Sequence, residues 1–348
     1  MYIAYITLLS LLSVILIIKY SHFFENINEE VSISDERKIH SQPVPRIGGV
    51  IFIPLCICFF LQNNSLLNGI LTIAFLLMLI GLNEDIRKNS SQYLRLIIIT
   101  AVISYFVVQN NFYVENFDSN YFDFIERSKI FSIVFVILGL LFFVNGFNFV
   151  DGTNGLMLGI SIIILMNLCF FSFSVDTELF FFTIAMLMVS LIIFLFNFPF
   201  GKIFSGDSGS YFLGFSIGSL CIYYANSNLL EPLHIACLVF YPVSEIFITF
   251  WRRIFVNKKN PFNPDDLHLH ILIYKSIAKN RYFEKLNQNY KSSLTTFFIL
   301  TPIILSSVSI SILNEFVNLF TLFLIYCFIY LFFYIYAYKK WSNLKIRN

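Results

Sequence analysis

Five short polar runs hold most of the residues in this 348-residue chain that could do chemistry. In order they are His40-Ser-Gln-Pro-Val-Pro-Arg-Ile-Gly-Gly49, Gly81-Leu-Asn-Glu-Asp-Ile-Arg-Lys88, Asn145-Gly-Phe-Asn-Phe-Val-Asp-Gly-Thr-Asn-Gly155, Asn197-Phe-Pro-Phe-Gly-Lys-Ile-Phe-Ser-Gly-Asp-Ser-Gly-Ser210 and Pro261-Phe-Asn-Pro-Asp-Asp-Leu-His-Leu-His270. Asp207 stands among glycines and serines, where backbone amides can approach a phosphate and the carboxylate can hold Mg²⁺. That ion usually takes one or two carboxylates together with substrate phosphates and water. Asn145, Asn148 and Asp151 are spaced by three, so a helix continuing through them lines two amides and a carboxylate along one face. Such a stripe suits a sugar, a nucleotide or a hydrated cation. Glu84 and Asp85 read either as a paired acid or as a solvated helix end offset by Arg87 and Lys88. Pro43, Pro45, Gly48 and Gly49 could be only a helix entry. His268 and His270 would need a third and a fourth ligand to make a zinc site, for which Asp265 and Asp266 are the candidates. Gripping a diphosphate is the favoured role, with Arg252, Arg253, Lys258 and Lys259 adding positive potential.

The elements that must position these runs are read from composition. The chain is 57% hydrophobic, contains 44 Phe and has a mean hydropathy of +0.76. A hydrocarbon core of about 30 Å takes roughly 20 apolar residues in a helix, and the need to satisfy every backbone group makes helices the spanning form. The expected fold is an all-α polytopic integral membrane protein, a single domain over residues 1–348, with about eleven transmembrane segments. These are 1–19, 47–62, 66–82, 93–109, 128–147, 155–174, 178–197, 209–226, 232–251, 293–313 and 316–337, with a tight turn at Leu61–Leu67. The first reads as a retained signal anchor, for it has no basic leader and no small-residue cleavage site.

Basic residues set the orientation. With the N-terminus outside and the C-terminus cytosolic, all 23 Lys and Arg except Arg127 and Lys129 fall on the inner side. The inner loops, at about 20–46, 83–92, 148–155, 198–209 and 252–292, then carry the five polar runs. The outer loop Asn110–Arg127 and the stretch Asn280–Lys291 read as solvated. His22 reads as interfacial and His234 as a helix-end residue near the outer face. The six cysteines (Cys56, Cys58, Cys169, Cys221, Cys237 and Cys327) lie in apolar segments without paired spacing and read as buried thiols. A net charge of +2 suggests no nucleic-acid partner. Gly-Asp-Ser-Gly also occurs in the nucleophile loop of trypsin-like proteases, but no run of strands here supplies a histidine and a buried aspartate. A transporter or lipid flippase is the rival from another class. Transport sites tend to lie near the bilayer midplane, whereas these motifs lie at helix ends. Glu245, after Pro242, is the nearest exception.

Taken together, Pro-Val-Pro-Arg-Ile-Gly-Gly, the acid pair after Gly81, Asn-x-x-Asp-Gly-x-x-Gly-Leu, Gly-Asp-Ser-Gly-Ser and Pro-Phe-x-Pro-Asp-x-x-His-x-His resemble the polyprenyl-phosphate N-acetylhexosamine-1-phosphate transferases of glycosyltransferase family 4. The resemblance runs in the family's motif order from about His40 to His270. Three positions depart from the usual pattern: Glu84 stands where an Asp is common, Asn154 where many members have a second Asp, and Ile271 where the histidine motif often ends in His. The histidine loop resembles the UDP-N-acetylhexosamine users more than phospho-MurNAc-pentapeptide translocase, which is the alternative within the family.

The resemblance implies an enzyme of the bacterial cytoplasmic membrane, its active site facing the cytosol. It would move a sugar-1-phosphate from a UDP-N-acetylhexosamine to polyprenyl phosphate in the inner leaflet, releasing UMP and starting a lipid-linked cell-surface polysaccharide. It implies Mg²⁺, with Mn²⁺ as a substitute, held by Asp207 with Asp151. Asp85 with Glu84 would orient or deprotonate the lipid phosphate. His268, His270 and Lys202 would hold the diphosphate, and Asn145, Asn148, Asn197 and Arg46 would bind substrate. The sugar, the polymer and the oligomeric state stay open, a homodimer being one alternative.

Overall fold

A computed structural model of the chain describes residues 2–23, 28–29, 44–60, 65–87, 91–114, 128–173, 175–258, 260, 265–313 and 318–346. Residues 40–43 of the first motif, Lys88, Arg127, Lys259, residues 261–264, Arg347 and most of the loops at 61–67 and 110–127 lie outside the described residues.

The chain is helical almost throughout, as an apolar chain with no water to bond its backbone must be. α1 spans Tyr2–Tyr20, and a short 3₁₀ turn, Gly48–Phe52, leads into α2, Ile53–Phe60. Then follow α3 (Ser65–Arg87), α4 (Gln92–Gln109), α5 (Lys129–Val150), α6 (Leu156–Ser172) and α7 (Thr177–Asn197). The second half has α8 (Gly206–Asn226), α9 (Pro232–Leu238), α10 (Phe240–Trp251), α11 (Leu269–Ala278), α12 (Gln288–Leu313) and α13 (Leu319–Ile346). A two-residue antiparallel ladder pairs β1 (Asn28–Glu29) with β2 (Val44–Pro45).

Among the described residues, seven helices are long and apolar enough to cross a membrane: α1, α3, α4, α5, α7, α12 and α13. They are eight if α9 and the segment from Phe240 to Val256 form one span bent by 73°. The other three expected segments are present as helices. The Gly48–Phe60 unit and α6 are apolar but short, and α8 is long but rich in Gly and Ser.

α8 explains how a polar-looking helix lies at the centre of such a protein. It is buried over nearly its whole length, because its neighbours are other helices rather than lipid. Gly214 and Gly218 form the small-residue spacing that lets helices approach closely in membranes. A Cβ at Gly214 would stand 2.8 Å from the Phe143 carbonyl oxygen, and one at Gly218 would stand 2.8 Å from the Phe143 ring. α3 comes as near on another side, where a Cβ at Gly81 would meet the Asp207 backbone at 2.5 Å. Large apolar side chains of α1, α4 and α13, such as Leu12, Ile97 and Phe332, are exposed on the outside. This apolar rim suits lipid.

Four of the expected inner loops differ from the structure. Residues 83–87, 148–150 and 206–208, read as parts of loops, are turns of α3, α5 and α8, because burial against neighbouring helices replaces apolarity as the stabilising factor. The stretch 252–292, read as an inner loop, begins with a π-helical turn, Arg252–Val256, that extends α10, and it contains α11.

Candidate active site

The C-terminal ends of α3 and α5 and the N-terminal ends of α4, α8 and α11 bring the polar runs to one end of the bundle. The first contact is made by backbone. Phe204 N–H donates to the Pro45 carbonyl at 2.9 Å, Gly48 N–H to Phe204 at 2.9 Å and Gly49 N–H to Ser205 at 3.1 Å. The first motif is thereby paired along the entry to α8. Gly48 and Gly49 are close-approach residues, since added Cβ atoms would stand 2.6 Å from the Phe204 oxygen and 2.5 Å from the Gly209 nitrogen. Gly206 has φ +68, and a Cβ there would run into the Arg46 carbonyl and the Asp85 carboxylate. Only glycine fits.

Asp85 uses both carboxylate oxygens at this junction. Oδ1 accepts the Asp207 N–H at 2.9 Å and Oδ2 accepts the Ser208 N–H at 3.0 Å. The first amides of a helix have no partner within it, and the N-cap Ser205 contributes no side-chain bond. A buried carboxylate from α3 therefore caps α8, where the helix dipole also favours negative charge.

Asp207 lies in the first turn of α8 and is almost buried. Its Oδ1 accepts the Asn148 Nδ2–H at 2.9 Å and lies 3.6 Å from Arg46 Nη2, while its Oδ2 accepts the Arg95 Nη1–H at 3.0 Å. Arg95 is also 3.6 Å from Glu84 Oε1. Two carboxylates thus share one guanidinium, with a second guanidinium beside them. Sequence reasoning did not name Arg95 as a site residue. Its signal was a lone cation in the first turn of an apolar helix, a position that needs a partner.

The second group gathers on α11. His268 is the N-cap residue and His270 follows in the first turn, their rings stacked with centroids 5.4 Å apart and 9° between planes. Glu245 of α10 reaches His268 Nδ1 with Oε2 at 3.1 Å. The end of α5 joins the two groups: Asn148 bonds Asp207, Phe149 lies 5.3 Å from the His268 ring, and a Cβ at Gly152 would stand 2.4 Å from His270 Nε2. Burial pushes the His270 imidazole down to about 4, with the neighbouring His268 adding to the effect against Glu245. His270 is therefore neutral near pH 7, and its Nδ1 has no hydrogen-bond partner among the described residues. Behind this group Arg252 pairs with Asp265 and donates from Nε to the Tyr334 hydroxyl at 2.8 Å, tying the histidine segment to α13.

Not every expected residue joins these groups. Asn145 turns back on its own helix, donating to the Leu141 carbonyl at 2.8 Å. α5 stops at Val150, so Asp151 is its C-cap and half-buried, and the expected stripe does not run through it as helix. Buried Asn197 donates to the Ile203 carbonyl and holds the turn before α8. Lys202 is exposed, with Nζ 5.3 Å from the Phe200 ring centre. Asn154 is fully buried, with its N–H donating to Ser292 Oγ at 2.9 Å, which ties the α5–α6 turn to α12.

Glu84 and Asp207 face the same cation, and their all-oxygen donor set is the chemistry Mg²⁺ takes. Among the described residues no group of three or more His, Cys, Asp or Glu stands ready as a complete cage. An ion bound through one or two carboxylates and the substrate's own phosphates does not require one. The residues present fit such an ion.

A cluster of carboxylates, guanidinia and imidazoles at the ends of apolar helices has the chemistry that phosphate esters require. Comparison with known proteins gives the same class. The profile of glycosyl transferase family 4 matches residues 67–225. The chain is 31% identical over 247 residues, 70% of its length and 73% of the other's, to undecaprenyl-phosphate alpha-N-acetylglucosaminyl 1-phosphate transferase of Thermotoga maritima. It is 28% identical over 243 residues (67% and 66% of the two chains) to a probable undecaprenyl-phosphate N-acetylglucosaminyl 1-phosphate transferase of Bacillus subtilis. It is 26% identical over 283 residues (70% and 69%) to decaprenyl-phosphate N-acetylglucosaminephosphotransferase of Mycobacterium leprae. The chain belongs to glycosyl transferase family 4, the polyprenyl-phosphate sugar-1-phosphate transferases that its motifs resemble.

Proposed function

We propose that this protein transfers N-acetylglucosamine-1-phosphate from UDP-N-acetylglucosamine to polyprenyl phosphate; the transferred group and a polyprenyl-phosphate acceptor are named for all three relatives, and the reaction type implies the UDP-sugar donor. In this reaction an oxygen of the lipid phosphate bonds to the β-phosphorus of the nucleotide sugar. The bond from that phosphorus to the bridging oxygen breaks, and UMP leaves with the electron pair. The product is a polyprenyl-diphospho-sugar, the starting unit of a lipid-linked cell-surface polysaccharide. The observation that supports the reading is the convergence of three motif segments, through Arg46, Asp85 and Asn148, on Asp207 of a fourth, with Arg95 beside them: a mix of carboxylates and guanidinia suited to two anionic reactants.

Asp207 would hold Mg²⁺, or Mn²⁺ in its place, with Asp151 as the second carboxylate read from the sequence and Glu84, which shares Arg95 with Asp207, as the other candidate. When bound, the ion neutralises charge on the diphosphate. Arg46 and Arg95 offset what remains and orient phosphate oxygens. Asn148 fixes the Asp207 carboxylate by its hydrogen bond. His268 meets the diphosphate, while His270, held neutral by burial, serves as a packed neighbour or a neutral hydrogen-bonding group. Asn145, Asn197 and Lys202 stand at the margin and would contribute through the nucleotide or sugar. The two backbone hydrogen bonds to Asp85 support a scaffolding role over that of a base.

Eleven crossings, with the N-terminus outside, the C-terminus inside and the site facing the cytosol of a bacterial inner membrane, would accommodate both substrates. The split of basic residues supports that arrangement. Purified protein in nanodiscs with undecaprenyl phosphate and a panel of UDP-sugars tests the proposal by UMP release. UDP-N-acetylglucosamine should turn over fastest and only with the lipid acceptor. No acceptor-dependent UMP from any UDP-sugar would overturn it.

A further inference from the structure

Glu245 is fully buried in α10, at a depth where an unpaired carboxylate is costly. With the Tyr241 and Tyr330 hydroxyls also facing it, its closest contacts among the described residues are at the start of α11. Oε2 stands 3.1 Å from His268 Nδ1, and Oε1 accepts the Leu269 N–H at 3.2 Å. His268 is the N-cap residue of α11 and makes no side-chain cap of its own. The carboxylate from α10 supplies the acceptor that this helix start lacks. The Thr249 hydroxyl lies 3.3 Å from the same Nδ1. Were Nδ1 the unprotonated nitrogen, its lone pair would face a buried carboxylate. A proton on Nδ1, donated to Glu245, removes that repulsion and leaves Thr249 in a secondary position. The ring is flanked by Phe149 on one element and by the stacked His270 on its own. Nε2 makes no hydrogen bond to protein among the described residues.

We infer that Glu245 is a positioning residue for the transfer: it fixes His268 in the Nδ1–H form and leaves Nε2 to meet the phosphates of the substrate. The inference rests on the phosphotransfer reading given above. A carboxylate on one imidazole nitrogen sets the tautomer and the ring angle. When Nε2 takes up a proton, the ring becomes a charged donor to a phosphate oxygen. The neutral, fully buried His270 is a poorer candidate for that role. Glu245 thus does for His268 what Asp85 does for Asp207: a carboxylate buried on one helix holds the start of another helix that carries a functional side chain.

Glu245→Gln, His268→Gln and the double variant are compared with wild type in nanodiscs by UMP release from UDP-N-acetylglucosamine and undecaprenyl phosphate, with Tm measured for each. Glu245→Gln should lower kcat by about 10–100-fold, the usual cost of losing a carboxylate behind a working histidine, while KM for the UDP-sugar changes little. Glu245→Asp should recover part of the loss. The double variant should be no slower than His268→Gln alone, because the first change acts through the second residue. Losses that multiply, or a fully active Glu245→Gln, overturn the inference. Ring-¹⁵N histidine spectra of the resting wild type, with His268 assigned by its loss in His268→Gln, give a readout that needs no Glu245 variant to fold. A protonated Nδ1 on His268 is expected, and an unprotonated one overturns the inference. Absence of UMP release by wild type would instead remove the phosphotransfer reading, with the nitrogen spectrum still deciding the tautomer.

Discussion

At the residue scale, the two aspartates of the first cluster do different work. Asp207 points its oxygens at Arg46, Arg95 and Asn148, so Asp207→Asn should leave the fold intact and remove negative charge where the cation and phosphates gather. Turnover should drop by roughly 10²-fold or more, with no rescue by excess UDP-sugar. Steady-state kinetics over a range of Mg²⁺ concentrations checks this. Asp85 instead spends both oxygens on backbone amides. Asp85→Asn keeps one acceptor oxygen for two donors, leaving one buried N–H facing an amide NH₂. A loss of about 1–3 kcal/mol in stability is expected, together with a fall in kcat larger than any change in UDP-sugar KM. Because the second pKa of a phosphate monoester is about 6, a base acting on the lipid phosphate becomes dispensable as pH rises. A defect of constant size from roughly pH 6 to pH 8.5 is expected for a cap, and one that shrinks across that range indicates proton transfer.

At the element scale, the site depends on how closely three helices approach. α8 can deliver Asp207 only if α3 and α5 come within backbone contact of it, and glycines provide that room. Gly214→Ala would place a Cβ 2.8 Å from the Phe143 oxygen and 2.9 Å from the Val144 Cα, atoms of a helix backbone that cannot step aside. Overpacking of this kind costs about 1–3 kcal/mol, so Tm in detergent should fall and activity with it. Gly139→Ala is the matched control on α5. No atom lies within 4 Å of its Cβ position, and alanine is the better helix former. Its Tm should hold or rise. Equal losses in the two variants would mean that close helix approach is not what these glycines provide. α12 has a comparable supporting part, since Ser292 and Thr296 bond Asn154 and Thr153 and so steady the turn after Asp151.

At the scale of the whole molecule, the order of helix ends is consistent with alternate crossings. α3 arrives at the site, α4 leaves it, α5 arrives, α6 leaves, α7 arrives and α8 leaves. The basic residues cluster at this same end in the sequence reading, which supports the proposal that it faces the cytosol. Single cysteines introduced at Asn257 and Ser227 test this in intact cells against a membrane-impermeant reagent. The native thiols are buried or half-buried, so background should be low. Asn257 lies beyond α10 at the site end, and Ser227 is exposed just after α8 at the other. Ser227→Cys should label and Asn257→Cys should not. The reverse pattern would turn the site outward, away from any nucleotide supply.

The sequence alone determined the solvent in which this protein works and the residues on which its chemistry centres. Runs of about 20 apolar residues admit only helices, and Glu84, Asp85, Asn148, Asp207 and His268 stand out because polar groups among such runs need partners. It left Glu245 only as an intramembrane exception, read Gly48 and Gly49 as a helix entry, and read the glycines beside Asp207 as room for a phosphate. Tertiary structure decided what those residues do. Hydrogen bonds such as Asp85 to the Asp207 amide, Arg95 to Asp207 and Glu245 to His268 join positions 122, 112 and 23 residues apart. Spacing along the chain carries no signal for them, because they exist only where separate helices have packed and excluded both water and lipid.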